Sequence, residues 1–202
     1  MKKTAAEAAE TRKALLKAAL TVFSQNGYSA TTLDQVARAA GVTRGAVYWH
    51  FASKAELYGS LLQTYGGQGG AIMASAAAEG GSFITVCRRI LTRLLTTLED
   101  DPELRAVMEL SLFKTEHNAE LAEVWGTQLA GTRALLAQLA GIMQAGISTG
   151  ALRTDATPED IARGFLAYQQ GIFHLWLIDP AAFSLRERAP ALVDLFIRGI
   201  QA

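Results

Sequence analysis

Apolar positions recur at intervals of three and four residues along almost the whole chain, the spacing of amphipathic helices. In "TRKALLKAALTVFSQ", residues 11–25, Leu15, Leu16, Ala19, Leu20 and Phe23 share one face, and Gly27 follows as a stop. In "ATTLDQVARAAGV", Thr32 and Gln35 have capping-box spacing. Leu33, Val36, Ala37 and Ala40 mark the apolar face of a helix over 32–40, which Gly41 ends. Thr43 predicts the N-cap of a short helix over 44–51, with Val42 and Val47 at staple positions. Ser53 and Glu56 repeat the cap signature for the next helix. Further helical patterns lie at 82–99, 102–113, 117–147, 158–177 and 184–200. Thr157-Pro158-Glu159-Asp160 is a strong helix start, with acids facing the positive end of the dipole, and Asp179-Pro180 is a stop. No hairpin signal interrupts the series, so the predicted fold is all-α.

Two glycine clusters punctuate this pattern. "YGGQGG", 65–70, holds four glycines, each weakening a helix by roughly 1 kcal/mol relative to alanine. It predicts a bend, a hinge or a broken connection between a head and a body. "EGGS", 79–82, is a second soft spot. The expected division is a three-helix head over 1–54 and a larger body over 55–202.

Composition narrows the class. Half of the 202 residues are hydrophobic and 19% are charged, so a sizeable core is available. No run of eighteen apolar residues predicts a membrane span, and the polar start "MKKTAAEAAETRK" has no apolar signal region. Cys87 is the sole cysteine, which excludes intramolecular disulfides and cysteine-rich zinc sites and fits a cytoplasmic protein. His117 and His174 stand without cysteine or a paired acid motif, so no metal is expected. There is no nucleophile elbow, phosphate loop or HExxH, and "YGGQGGAIM" does not give GxGxxG after a strand, so neither an enzyme nor a cofactor site is predicted. Net charge is zero, yet residues 1–54 carry eight Lys and Arg against three acids, and the rest carries eleven against sixteen. A basic head on an acidic body suits an anionic partner for the head, although a solvated charge fluctuation gives the same count.

The helix over 44–51 sharpens that reading. "GVTRGAVYWHF" places Tyr48, Trp49, His50 and Phe51 in succession, and no helix can bury all four on one face. At about 100° per residue, Phe51 falls near Val47 and both face inward, while Trp49 and Gly45 fall opposite. The outer face then presents two large aromatics beside the small Gly45 and Ala46, which is how a partner surface looks. Two short helices with a tight turn suit a helix-turn-helix, whose second helix enters the DNA major groove. On connection length alone, an ordinary helical hairpin is the alternative. Thr43 and Arg44 sit at the end where recognition helices touch bases, and small residues at 45 and 46 let the backbone approach. Tyr48, His50, Lys54 and the hydroxyls of Thr31 and Thr32 are placed to reach phosphates, as are N-terminal Lys and Arg residues.

"TTLDQVARAAGVTRGAVYWHFASKAEL", 31–57, resembles the DNA-binding signature of TetR-family transcriptional repressors, and "ALTVFSQNGYSATT" resembles their first helix and its turn. The resemblance implies an all-α homodimer that binds a palindromic double-stranded operator and is released when a ligand binds the body. Thr43, Arg44, Gly45, Ala46 and Trp49 take base-facing places in it, and Thr32, Tyr48, His50 and Lys54 take phosphate-facing ones. "TRGAVYWHF", "FLAYQQGIFHLWLIDPAAFSL", "RAVMELSLFKTEH" and the segment ending "STGALR" are similar to acriflavine-resistance-type regulators of multidrug efflux pumps. The four-glycine stretch departs from that pattern.

The body carries two further expectations. The segment 158–177 is apolar nearly all round, and the last helix has two apolar sides, so both are expected to meet a two-fold copy. Ile161, Phe165, Tyr168, Ile172, Leu192, Leu195, Phe196 and Gly199 are the candidate dimer residues. A mostly apolar pocket with a few polar groups is expected for an apolar or aromatic inducer. Its candidates are Tyr65, Met108, Glu109, Leu112, Phe113, Gln138, Ile142, Leu166, Gln169, Gln170, Phe173 and His174, with Leu135 and Leu139 on one wall. The alternatives are a regulator of a catabolic operon with one specific metabolite inducer, and a small-molecule carrier whose head binds no operator.

Overall fold

The structure, a computed structural model, describes residues 5–202. Among them nine α-helices follow in order: α1 Ala5–Ala30, α2 Leu33–Ala39, α3 Arg44–His50, α4 Lys54–Ala78, α5 Phe83–Asp100, α6 Pro102–Phe113, α7 Ala122–Ser148, α8 Pro158–Ile178 and α9 Leu185–Ile200. A 3₁₀ turn, Ala119–Leu121, precedes α7, so the helix expected from 117 starts several residues later. The described residues form no strand; a single bridge joins Leu152 to Gln201. No described helix is long and apolar enough to cross a membrane.

The chain divides into two compact units, residues 1–67 with 103–125 and residues 68–102 with 126–202. In the first, α1, α2, α3 and the start of α4 close over one core with α6 and the start of α7. Leu15, Ala19, Phe23, Tyr28, Val36, Val47, Phe51, Leu57, Tyr58 and Leu61 are all buried in it, and Val107, Leu110, Leu121 and Val124 join them. Phe23, Tyr28 and Tyr58 form an aromatic triad with ring centroids 5.1–5.8 Å apart. Gly27 breaks α1: its φ of 78° lies in the left-handed region that a side chain disfavours, which agrees with the predicted stop. There the Tyr28 N–H donates to the Lys114 carbonyl at 3.0 Å, and Lys114 Nζ reaches back to the Ser24 carbonyl at 2.8 Å.

In the second unit α5, α8 and α9 pack together. Cys87, Leu91, Leu95 and Leu98 line the buried face of α5, and burial pushes the Cys87 thiol up to about 11. Arg88 pairs with Asp194 at 2.7 Å, and Arg186 pairs with Asp100 at the end of α5. Phe196 stacks on Tyr168 and meets Phe165 edge-on. Trp176 is buried with its indole N–H on the Phe183 carbonyl at 3.0 Å, which closes the turn after Asp179-Pro180.

Of the bend, hinge or broken connection expected at the glycine cluster 65–70, the broken connection does not occur: α4 runs through it, and the boundary between the two units falls at Gly67/Gln68. Propensity is a weak prior that tertiary anchoring overrides. Leu57, Tyr58, Leu61 and Leu62 bury one end of the helix; Ala76 is buried at the other, where its carbonyl accepts from Arg89 at 2.8 Å. The second soft spot is a real turn: Gly80 and Gly81 have positive φ, and Ser82 then caps α5.

Gly146 is the tightest glycine. A Cβ there would stand 2.6 Å from the Phe83 ring and 2.8 Å from Leu152. Alanine gains about 1 kcal/mol of helix propensity over glycine, whereas overpacking costs roughly 1–3 kcal/mol. Gly146→Ala is therefore expected to be destabilising on balance, seen as a lower urea midpoint with an unchanged slope.

Candidate nucleic-acid interface

Local chemistry explains each end of the two short helices. The Thr32 hydroxyl accepts the Gln35 N–H at 3.3 Å while the Gln35 side chain accepts the Thr32 N–H at 2.7 Å, a complete capping box. Thr43 caps α3 through the Ala46 N–H at 3.2 Å. Val47 and Phe51 are buried, and the Arg12 guanidinium lies 5.0 Å from the centre of the Phe51 ring. One face of α3 is thus spent on packing.

Its other face is open. Trp49 is 71% exposed and Tyr48 45%, and Arg44 and Gly45 are exposed beside them. Ala46 and His50 are half-buried, and the His50 ring meets Trp49 edge-on at 4.6 Å. Arg44 is held in place: Nη1 lies 3.2 Å from Asp34 Oδ2, and Nη2 donates to the Tyr48 hydroxyl at 3.2 Å. The Tyr48 bond and then the Asp34 charge hold the guanidinium above its already high range, so it stays a cation. Thr43, Arg44, Gly45, Tyr48 and Trp49 therefore form one exposed surface with Ala46 and His50 at its margin.

Two other expected contacts are placed differently. Thr31 is buried, not turned outward; its hydroxyl donates to the Gly27 carbonyl at 2.8 Å and ties down the kink. Sequence spacing could not separate it from its exposed neighbour Thr32, because the difference arises from the break at Gly27. Lys54 donates to the carbonyls of Tyr28 and Ser29 at 3.1 and 3.3 Å and lies over the Tyr28 ring, so two of its three N–H groups are committed within the protein. Lys2 and Lys3 lie outside the described residues. Asp34 is an added member of the group that no sequence signal marks; only its contact with Arg44 reveals it.

The candidate residues of the body also sort differently. On α8, Ile161, Phe165 and Ile172 are buried against their own unit and are not on a free face, and Tyr168 donates to the Leu192 carbonyl at 2.7 Å. The open arc of α8 instead carries Ala167, Gly171, His174, Leu175 and Ile178, with Leu175 and Ile178 more than 60% exposed. On α9, Leu195 and Gly199 are exposed as expected, whereas Leu192 and Phe196 are half-buried. The expected arc is wrong because a helix apolar nearly all round does not announce which side its own core takes.

The expected ligand residues belong to two units. Tyr65, Met108, Glu109, Leu112 and Phe113 lie in the first, where the Tyr65 hydroxyl donates to Glu103 at 2.5 Å. Leu112 and Phe113 line an open crevice of about 520 Å³ that also holds Lys114 and Glu116. In the second unit Gln169 and Phe173 are buried and Leu166 is half-buried, but Gln170 and His174 fall on the open arc of α8 rather than beside Gln169. Gln138 and Ile142 are exposed, while Leu139 and Met143 take the buried face of α7.

A capped pair of short helices, with one packing face and one open face bearing arginine and aromatics, has the form of a helix-turn-helix DNA-binding regulator. Family comparison agrees. The model for bacterial regulatory proteins of the tetR family matches residues 15–61, and that for the C-terminal region of MAATS-type transcriptional repressors matches 83–202. The chain belongs to the TetR family of transcriptional regulators. It is 32% identical over 197 residues to the transcriptional regulator AcrR of Shigella flexneri, covering 97% of this chain and 92% of the relative. It is similar to the crystal structure of NalD, the secondary repressor of the MexAB-OprM multidrug efflux pump in Pseudomonas aeruginosa. That match has a TM-score of 0.84 at 28% identity and covers 95% and 96% of the two chains. A SmeT–triclosan complex matches with a TM-score of 0.82 at 26% identity, covering 96% and 92%.

Thr31 provides a check on this geometry. Thr31→Val should lower unfolding stability by about 1–2 kcal/mol through the lost bond to Gly27. Affinity for duplex DNA should stay within about twofold of the parent in a fluorescence-anisotropy titration, because no phosphate contact is removed.

Proposed function

We propose that this regulator is a cytoplasmic, ligand-responsive repressor of a multidrug efflux operon. It binds a palindromic operator as a homodimer and is released by a mainly apolar, aromatic small molecule. The observation that carries the DNA-binding part is the open face of α3. Exposing Trp49 and Tyr48 side by side next to a fixed arginine serves no folding purpose and fits a groove. The efflux part is supported by NalD, a secondary repressor of a multidrug efflux pump, and the inducer class by a SmeT structure that holds triclosan.

Each side chain then has a role. Arg44 donates to a base edge, with guanine O6 and N7 as its best acceptors, and Thr43 and Trp49 flank it. Gly45 and Ala46 keep the backbone close to the bases. Thr32, Tyr48 and His50 meet phosphates, and Lys54 offers its remaining N–H. The operator-binding segment ends near residue 54, and dimerisation and inducer binding belong to residues 55–202.

Dimerisation uses the open arcs of α8 and α9, with Leu175, Ile178 and Leu195 at the centre and the small Ala167, Gly171 and Gly199 allowing close approach. A two-fold dimer places its recognition helices in successive major grooves, about 34 Å or a multiple apart. An inducer acts by binding one of two head separations more tightly, and its leverage equals that difference in affinity. Gln169, Phe173 and Leu166 of α8 are the candidates for lining its site.

Two variants test this reading. Arg44→Ala should cost about 1–3 kcal/mol on a duplex selected from a random library by the parent protein, and should relax base preference at one position per half-site. An unchanged selection profile would show that Arg44 reads no base. Leu195→Asp should yield a monomer by light scattering and abolish operator binding while leaving each helix folded by circular dichroism.

A further inference from the structure

Asp34 is the sole carboxylate between residues 31 and 54. It sits on the part of the protein proposed to face a polyanion, where a negative charge works against binding. Its immediate neighbour is Arg44: Oδ2 lies 3.2 Å from Nη1, and no other described cation pairs with it. The opposite end of the same guanidinium donates to Tyr48 at 3.2 Å and lies 5.4 Å from the centre of its ring. Arg44 is 61% exposed, yet it is held by two hydrogen bonds and a ring.

An exposed ion pair of this kind adds little to stability, so folding does not account for it. An acid in the first turn of α2 does favour the helix dipole, but that role requires no contact with Arg44. We propose that Asp34 is a positioning residue that sets operator specificity by holding the Arg44 fork in its reading orientation and away from phosphates. This rests on the reading of Arg44 as a base contact.

The chemistry is a competition for N–H donors. Guanidinium has five, and Asp34 and Tyr48 take two, leaving three for a base edge. An unrestrained arginine on arbitrary DNA swings to the nearest phosphate and gains affinity there without reading sequence. Asp34 already occupies part of the fork and repels the phosphate, so that gain is suppressed. On the correct base the fork binds without first surrendering a phosphate, and little side-chain freedom remains to be lost. The carboxylate thus weakens all DNA binding, but weakens the wrong binding more.

The test uses full-length protein, the duplex selected by the parent and a scrambled duplex of equal length. Asp34→Asn keeps the side-chain shape and removes the charge. It should tighten binding to scrambled DNA by about fivefold or more and tighten selected DNA less, so that the specificity ratio falls by about fivefold. In an Arg44→Ala background the same change should leave the ratio unaltered, because nothing remains to be positioned. The proposal is overturned if Asp34→Asn shifts both affinities by one factor, which is charge repulsion alone. It is equally overturned if both affinities fall together with the melting temperature, which is a helix-start role. If Arg44→Ala by itself leaves the ratio at the parent value, the base-contact reading fails first, and that signal is distinct from the other two.

Discussion

A seven-residue helix has no stability of its own in water, and everything α3 does depends on two side chains. Val47 and Phe51 are buried, each adding about 1.5–3 kcal/mol of apolar burial, and without that burial the cost of nucleating so short a helix would dominate. The Thr43 cap and the Arg12 cation over Phe51 add smaller increments. Because the inner face carries all the anchoring, the outer face is free of folding duties. Trp49, Tyr48 and Arg44 can be chosen for what they touch outside the molecule.

The anchor extends through the head. Tyr28 sits in the aromatic triad with Phe23 and Tyr58, and its backbone N–H is bonded to the Lys114 carbonyl. Thr31 ties back to Gly27, and Lys54 ties the start of α4 to the carbonyls of Tyr28 and Ser29. Burial drives the Tyr28 hydroxyl well above the ordinary tyrosine range and raises that of Tyr58 as well, so both stay neutral. The start of α2 is therefore positioned by a junction that also holds the end of α6. The hydrogen bonds of Tyr28 and Ser24 with Lys114 are direct polar ties between that end and the first helix.

Local chemistry was legible in the sequence, and long-range choices were not. The capping box at Thr32, the cap at Thr43, the stop at Gly27 and the start at Thr157 were readable because each depends on residues within four positions. Helical spacing alone separated the buried Val47 and Phe51 from the exposed Trp49. The outward placement of Thr31 did not hold, because its orientation depends on a glycine kink four residues earlier. The free-face placement of Ile161, Phe165 and Ile172 did not hold either, because an all-apolar helix leaves its core side undefined. Of the readings open for the four glycines, a broken connection did not occur, because anchors at both ends of α4 outweigh a local preference. The Asp34–Arg44 pair was invisible for a related reason: ten residues and a turn separate its members.

The head is not a cassette. Its core is completed by Val107, Leu110, Leu121 and Val124, which the chain supplies more than forty residues after the start of α4. Cutting after the third helix would strip away these side chains together with Tyr58 and leave the faces of Phe23 and Tyr28 open to water. An engineer who wishes to give this protein another operator preference should graft only the solvent-facing positions of α2 and α3. A transplant of the whole amino-terminal segment into a foreign body would also need a matching counterpart of residues 103–125.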